Sequence, residues 1–260
     1  MNDLIKDQLK EIEENFQVKI LYAVESGSRA WGFPSKDSDF DVRFIYIHRP
    51  EWYLSIDPQG VGTKKDVIEL PINDLLDISG WEITKALRLF RKSNPSLLEW
   101  MGSPILYYQT STLIDQLRGL ESEVFDSKAS LHHYLNMAKN NFGELQGSEV
   151  KMKRYLYALR AVFSCKWIER SNTAPPIDFQ ELLTEIVPDG LLKNRMKTLL
   201  ERKMAGDELD YQHKIQVIND YLDHEIMSIE AYIQTIRVKN ENPTPRLDEL
   251  FRATLKEVWE

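Results

Sequence analysis

Asp39 and Asp41 stand two residues apart in the run Asp39-Phe-Asp-Val-Arg-Phe-Ile-Tyr-Ile47, and Asp39 follows Gly27-Ser28 by twelve positions from the glycine. On an extended chain successive side chains alternate, so Asp39, Asp41 and Arg43 share one face and Phe40, Val42 and Phe44 the other. Two carboxylates this close repel, which raises at least one pKa unless a cation accompanies them. Hard divalent cations such as Mg²⁺ take oxygen ligands, so the pair suits a metal. Gly27 lets the backbone approach a phosphate closely, and the Ser28 hydroxyl with nearby N–H groups can donate to phosphate oxygens where a helix begins. A D-x-D pair alone also describes a solvated edge strand. A Gly-Ser loop after a strand, at this distance upstream, turns it into a layout for phosphoryl transfer with two metals.

The elements that must position these groups follow from hydrophobic period. Leu4, Ile5, Leu9, Ile12 and Phe16 recur at helical spacing over residues 1–16. The run Val18 to Val24 reads as a strand, ended by the turn-rich ESGSRAWGFPSKDSD, and Asp39 to Ile47 is the second strand. A short helix over Pro50 to Ile56, a loop around Asp57-Pro-Gln-Gly and a third strand from Asp66 to Ile72 follow, with Leu75 to Ile78 extending or pairing with it. Trp81, Ile83, Leu87 and Phe90 predict a helix from Trp81 to Phe90, stopped at Asn94-Pro95 before a short helix from Ser96 to Trp100. Past Thr110 helical patterns dominate: Ser130 to Leu145, Val150 to Glu169, Phe179 to Glu185, Leu191 to Met204 and Ile215 to Val238. Breaks at Gly147-Ser148, 172–176 and 188–190 separate them, and the connector 240–246 precedes a last helix, Leu247 to Val258. The expected fold class is therefore α+β: a mixed sheet with helices over residues 1–108, then an all-helical unit over 109–260.

Composition removes several function classes. The 260 residues carry a formal charge of −8, which opposes coating of nucleic acid by phosphate neutralisation. The first residues lack a signal layout and no apolar run nears a bilayer span, so the expectation is a soluble, cytoplasmic protein without a membrane partner. The single cysteine, Cys165, lies in an apolar run and reads as a buried small hydrophobe. His132 and His133 are adjacent and cannot chelate one ion from a helix, and no H-E-x-x-H pattern exists. Neither a G-x-S-x-G elbow nor a G-x-x-x-x-G-K-[ST] loop is present, which removes serine hydrolases and P-loop enzymes.

The stretch from Glu25 to Val42 resembles the signature of minimal nucleotidyltransferases in the polymerase β superfamily. More narrowly it is similar to the RNA-repair-associated polymerase β-like family. The similarity continues through Asp77 to Leu87, Lys92 to Trp100 and Lys151 to Arg160. What the resemblance implies is a palm-like domain that moves a nucleoside monophosphate from an NTP to an acceptor hydroxyl and releases pyrophosphate. Its glycine-serine pair falls on Gly27 and Ser28, and its carboxylates, holding Mg²⁺ (or Mn²⁺), on Asp39 and Asp41. Its third carboxylate, catalytic and metal-binding, falls on Asp77 or on Glu69, with Asp77 preferred.

Further nucleotide-binding candidates are cations and aromatics placed around this core. Arg29 and Lys36 lie in the loop between the glycine and the aspartates, where a cation can meet the leaving pyrophosphate or remain an exposed loop charge. Lys85, in a helix among apolar neighbours, reads equally as a phosphate ligand or a snorkelling lysine. Lys153, Tyr157 and Arg160 fall on one helix face and can line the cleft opposite the metals or form a core with a solvated rim. The acceptor, RNA or protein, is open at this point. A protein AMP-transferase and a non-catalytic, antitoxin-like nucleotide-binding protein are the alternatives.

Overall fold

The computed structural model describes residues 1–56, 66–73, 75–206, 211–237 and 242–260. The loop expected around Asp57 and part of the connector at 240–241 lie outside these. A five-stranded sheet in the order β3-β4-β2-β1-β5 forms the centre of the first half. Its strands are β1 (Lys19–Glu25), β2 (Phe40–Ile47), β3 (Val67–Asn73), β4 (Leu76–Glu82) and β5 (Leu106–Gln109). All neighbours are antiparallel except β2 and β4, which run parallel with Asp41 opposite Asp77.

The two faces of the sheet are covered differently. Helix α1 (Asn2–Phe16) buries Ile5, Leu9 and Ile12 on one face, against Val42, Phe44 and Tyr46 of β2. The alternate β2 residues, Ile45 and Ile47, enter a second, larger core on the opposite face. That core continues into the helical half, taking in Leu131, Leu156, Phe163 and Leu222. Alternation therefore sends Asp41 and Arg43 to the face that meets the helices.

Between the strands lie α2 (Gly27–Ala30), α3 (Pro50–Tyr53), α4 (Ile83–Arg91) and α5 (Pro95–Gly102). Trp81 belongs to β4 rather than to a helix. The cause is Glu82, whose side chain accepts from the N–H groups of Thr84 and Lys85 and so starts α4 at Ile83, two residues later. The segment from Leu75 to Ile78 is a full strand, which gives β3 a partner and links it to β2. Strand β5 was not legible as a strand.

The second half contains α6 (Leu113–Val124), α7 (Ser127–Gly143), α8 (Met152–Ser171), α9 (Phe179–Ile186), α10 (Leu191–Ala205), α11 (Gln216–Thr235) and α12 (Thr244–Trp259). Two short strands, β6 (Glu149–Lys151) and β7 (Tyr211–His213), pair antiparallel, so this half is helical with one small ribbon rather than all helical. Helix α6 was not expected, although it buries Leu113, Ile114, Leu117, Leu120 and Val124 at helical spacing. Helix α7 starts earlier than expected because Asp126 caps it, accepting from Ala129 N–H at 3.0 Å. Cys165 is buried and His132 and His133 are exposed, as their settings in the sequence indicate. Among the described residues no helix is long and apolar enough to cross a membrane.

Helix α12 returns to the first half. Trp259 donates to the His48 carbonyl at 2.9 Å, and Arg91 donates to Thr244 at 2.8 Å. The His48 ring stacks on Trp52 with centroids 4.0 Å apart, and its buried Nε2 has no hydrogen-bond partner among the described residues. Burial lowers the His48 pKa from 6.5 to about 4. Between those values the unfolded chain binds more protons than the folded one, so this contribution to stability is complete above about pH 6.5 and is lost as pH falls toward about 4. His48→Phe, which keeps the stack, is expected to narrow the difference between urea midpoints measured at pH 5 and pH 7. An unchanged difference would remove His48 as a source of acid sensitivity.

Candidate active site

Gly27 opens α2 with φ +62°, a conformation that costs other residues strain, and a Cβ built on it would lie 2.1 Å from Asp41 Oδ2. Both constraints demand glycine, because the backbone here passes directly against the Asp41 carboxylate. Ser26 N–H donates to the Asp41 carbonyl at 2.8 Å, which staples the loop to the start of β2. The sequence spacing between Gly27 and Asp41 thus becomes direct contact.

Asp41 and Asp77 face each other across the parallel pair, and Arg43 Nη2 lies 2.9 Å from Asp41 Oδ1 and 2.8 Å from Asp77 Oδ2. Burial pushes the Asp41 pKa up; Arg43 pulls it down, and the charges of Asp39 and Asp77 push it up again. Asp41 therefore senses both Asp39 and Asp77, and Arg43 is the cation that sits between Asp41 and Asp77. Asp39 itself is exposed.

Behind Asp41 stands Glu25, fully buried at the end of β1. Its Oε1 accepts the Asp41 N–H at 2.9 Å, and its Oε2 accepts the Tyr107 hydroxyl. Burial raises the Glu25 pKa, while the bonds from Tyr107 and from the Asp41 N–H oppose the rise. Tyr107→Phe removes one donor from a buried carboxylate and is expected to cost about 1–3 kcal/mol, measured by urea unfolding. A loss within experimental error would show that Glu25 is satisfied without the tyrosine.

The remaining candidates separate into those near the aspartates and those elsewhere. Glu69 is exposed on edge strand β3, opposite Ser79, with β4 between it and Asp41. The structure brings Asp77 to the pair and leaves Glu69 apart. Arg29 does not point away from the protein as a free loop charge. It donates to the carbonyls of Asp39 (2.9 Å) and Ser38 (2.7 Å), and its guanidinium lies 3.7 Å over the Phe40 ring. Lys36 is exposed in the same loop. Lys85 follows the end of β4 opposite to Asp77 and pairs with Asp66 at 3.1 Å.

Helix α8 meets the first half at Trp31, the residue after α2. Tyr157 meets Trp31 edge-on at 5.5 Å, and Lys153 lies half-buried one turn earlier. Arg160 is 2% exposed, forms an ion pair with Glu99 at 2.8 Å and lies 4.2 Å over the Trp31 ring. Its side chain is therefore turned into the core, where its partner Glu99 holds it. Sequence reasoning also assigned no role to Arg43, Glu25, Ser38 or Lys203. Arg43 carried a local signal, two residues after Asp41 on the same face, whereas Lys203 lies 165 positions from its partner Ser38 and carried none.

Carboxylates, a glycine against them and a serine hydroxyl fit the chemistry of a hard cation and a phosphate. Among the described residues no group of three or more His, Cys, Asp or Glu side chains is already gathered around a metal position. Mg²⁺ does not require such a cage, since it usually binds through one or two carboxylates plus substrate phosphates and waters.

Comparison with known proteins covers the whole arrangement. The model of the RNA repair pathway DNA polymerase beta family, RlaP, matches residues 1–253. The chain is 52% identical over 260 residues to the uncharacterized protein YcgL of Bacillus subtilis (strain 168), covering all of this chain and 98% of that one. A crystal structure of a nucleotidyltransferase-like protein from Exiguobacterium sibiricum 255-15 aligns with 98% of this chain and 81% of its own, at 12% identity and a TM-score of 0.32. With a family model spanning all but the last residues, and a relative of this identity along the full length, the chain belongs to the RNA repair pathway DNA polymerase beta family.

Proposed function

We propose that the protein transfers a nucleoside monophosphate from an NTP to an acceptor hydroxyl, with an RNA end as the favoured acceptor, and releases pyrophosphate. The observation that carries this reading is the register that sets Asp41 beside Asp77, with Asp39 near and Gly27 packed on the Asp41 carboxylate. The RNA preference takes its support from the family's description as one of RNA repair.

In this reading Asp39, Asp41 and Asp77 hold Mg²⁺ or Mn²⁺, in a two-metal site. The chemistry supplied by the bound ions is a lower pKa for the acceptor hydroxyl and neutralisation of charge on the departing pyrophosphate. Gly27 and Ser28 receive the phosphates. Asp77, whose side chain is 47% exposed, is open to solvent and takes the hydroxyl proton. Arg43 keeps the two facing carboxylates together and offsets their repulsion. Arg29, bound to the loop carbonyls, holds the chain between cradle and aspartates, and the exposed Lys36 is the cation free to meet the pyrophosphate side. Residues 1–108 carry this chemistry, and 109–260 supply the acceptor side, with Lys153 and Tyr157 as its candidate contacts. A cytoplasmic setting belongs to the same reading.

A second reading, a nucleotide-binding protein without turnover, draws on the Arg43 bridge, since a guanidinium already neutralises the aspartates. An RNA oligonucleotide ending in a 3′-hydroxyl, incubated with Mg²⁺ and each NTP, separates the two. Extension with equimolar pyrophosphate, absent when the 3′ end is blocked by phosphate, supports transfer. NTP binding with neither product supports the second reading.

A further inference from the structure

Lys203, in the last turn of α10, is fully buried. A lysine near a helix end ordinarily extends its ammonium into water, and burying one is costly without compensating partners. Here the ammonium crosses into the loop between Gly27-Ser28 and Asp39. It donates to Ser35 Oγ at 3.2 Å and to Ser38 Oγ at 3.4 Å, and both serines are themselves buried. The loop is thereby tied to a helix of the other half, behind the phosphate cradle.

The hydrogen bonds at Ser38 Oγ decide what this contact does. A hydroxyl oxygen has two lone pairs. Ser35 N–H donates to Ser38 Oγ at 2.9 Å and the Lys203 ammonium donates at 3.4 Å, two donors that cannot act as acceptors and that occupy both, so the Ser35 hydroxyl, also 2.9 Å away and itself accepting from Lys203, takes the Ser38 proton. Ser28 Oγ also donates to Ser38 Oγ, at 3.3 Å, as a third donor on an oxygen with two acceptor sites. Its proton is held loosely and can turn to an incoming oxyanion. Without the ammonium, one lone pair of Ser38 is released and the Ser28 proton is held inward.

We propose that Lys203 is a positioning residue of the cradle: by donating to Ser38 it keeps the Ser28 hydroxyl available to a phosphate oxygen of a triphosphate. This rests on the nucleotidyl-transfer reading only in taking the anion to be a triphosphate. Lys203 touches no substrate itself, and its effect passes through Ser38 to Ser28.

The test is calorimetric binding of inorganic tripolyphosphate with Mg²⁺, a probe without base or transferable group. Lys203→Met is expected to raise Kd about tenfold. In a Ser28→Ala background the same substitution is expected to change Kd less than about twofold, because the hydroxyl it acts on is gone. An equal factor in both backgrounds overturns the inference, as a purely structural role would act regardless of Ser28. Should Lys203→Met fail to fold, Ser38→Ala removes the acceptor that would hold the Ser28 proton inward and is expected to leave Kd unchanged or to lower it. A several-fold rise in Kd there overturns the inference, as does absence of tripolyphosphate binding by the wild-type chain. Binding with the expected coupling, but no transfer of a labelled nucleotide in a separate assay, leaves this inference standing and defeats the transfer reading.

Discussion

Asp41→Asn is expected to reduce nucleotidyl transfer by on the order of 10³-fold or more, equivalent to about 4 kcal/mol of barrier, while leaving the folded state at least as stable as before. The two halves of that expectation have separate causes. Transfer falls because the amide cannot serve as an anionic oxygen ligand next to Asp39 and Asp77. Stability holds because burial disfavours the charged Asp41 carboxylate, and the charges of Asp39 and Asp77 add to the effect against the pull of Arg43. Asparagine has nearly the same shape against Gly27, and Arg43 retains Asp77 at 2.8 Å. Rates and urea midpoints measured on one preparation check both halves. Full activity in Asp41→Asn would remove the residue from the chemistry, and a collapse of stability would recast it as structural.

Arg160→Met is expected to act in the opposite way, costing about 3–5 kcal/mol of stability because it leaves Glu99 without its cationic partner in a largely buried setting. Glu99 accepts from Arg160, from Tyr134 and from Trp31 Nε1, so it joins α8, α7 and the residue that follows α2. The double substitution Glu99→Leu/Arg160→Met, which removes both charges, should recover part of the loss. Urea unfolding of the single and double variants measures this, and NTP affinity is compared under conditions where each remains folded. A small stability change with a large rise in Kd would return Arg160 to the nucleotide site.

The contrast between these two residues shows what was legible in the sequence. The contact of Gly27 with Asp41 was readable because the relation is local: Asp41 lies at the start of the strand that follows the loop, and a glycine in a strand-to-strand loop is a backbone statement. Arg160 shared its local signal, a cation at helical spacing among aromatics, with a surface residue, and only the distant Glu99 decides that it is buried. The choice between Asp77 and Glu69 depended on which of two strands lies beside β2. That pairing is parallel and non-local, and no period within either segment encodes it. Trp81 was misplaced because its spacing with Ile83 and Leu87 suits a helix, while the Glu82 cap that starts α4 acts through a side chain. Helix α6 had a clear pattern that went unread beside longer ones. The Lys203 contact joins residues far apart in the chain, and no local rule could have found it.

Incubation with Mg²⁺ and each α-labelled NTP, in the presence of mixed RNA and protein acceptors and beside an Asp39→Ala/Asp41→Ala control, tests the central claim most directly. Label entering RNA from one or more NTPs, and lost in the control, is the expected result. Label entering protein instead would identify an AMP-type modifier of side-chain hydroxyls. No label in either pool, with NTP still bound, would contradict nucleotidyl transfer by this site.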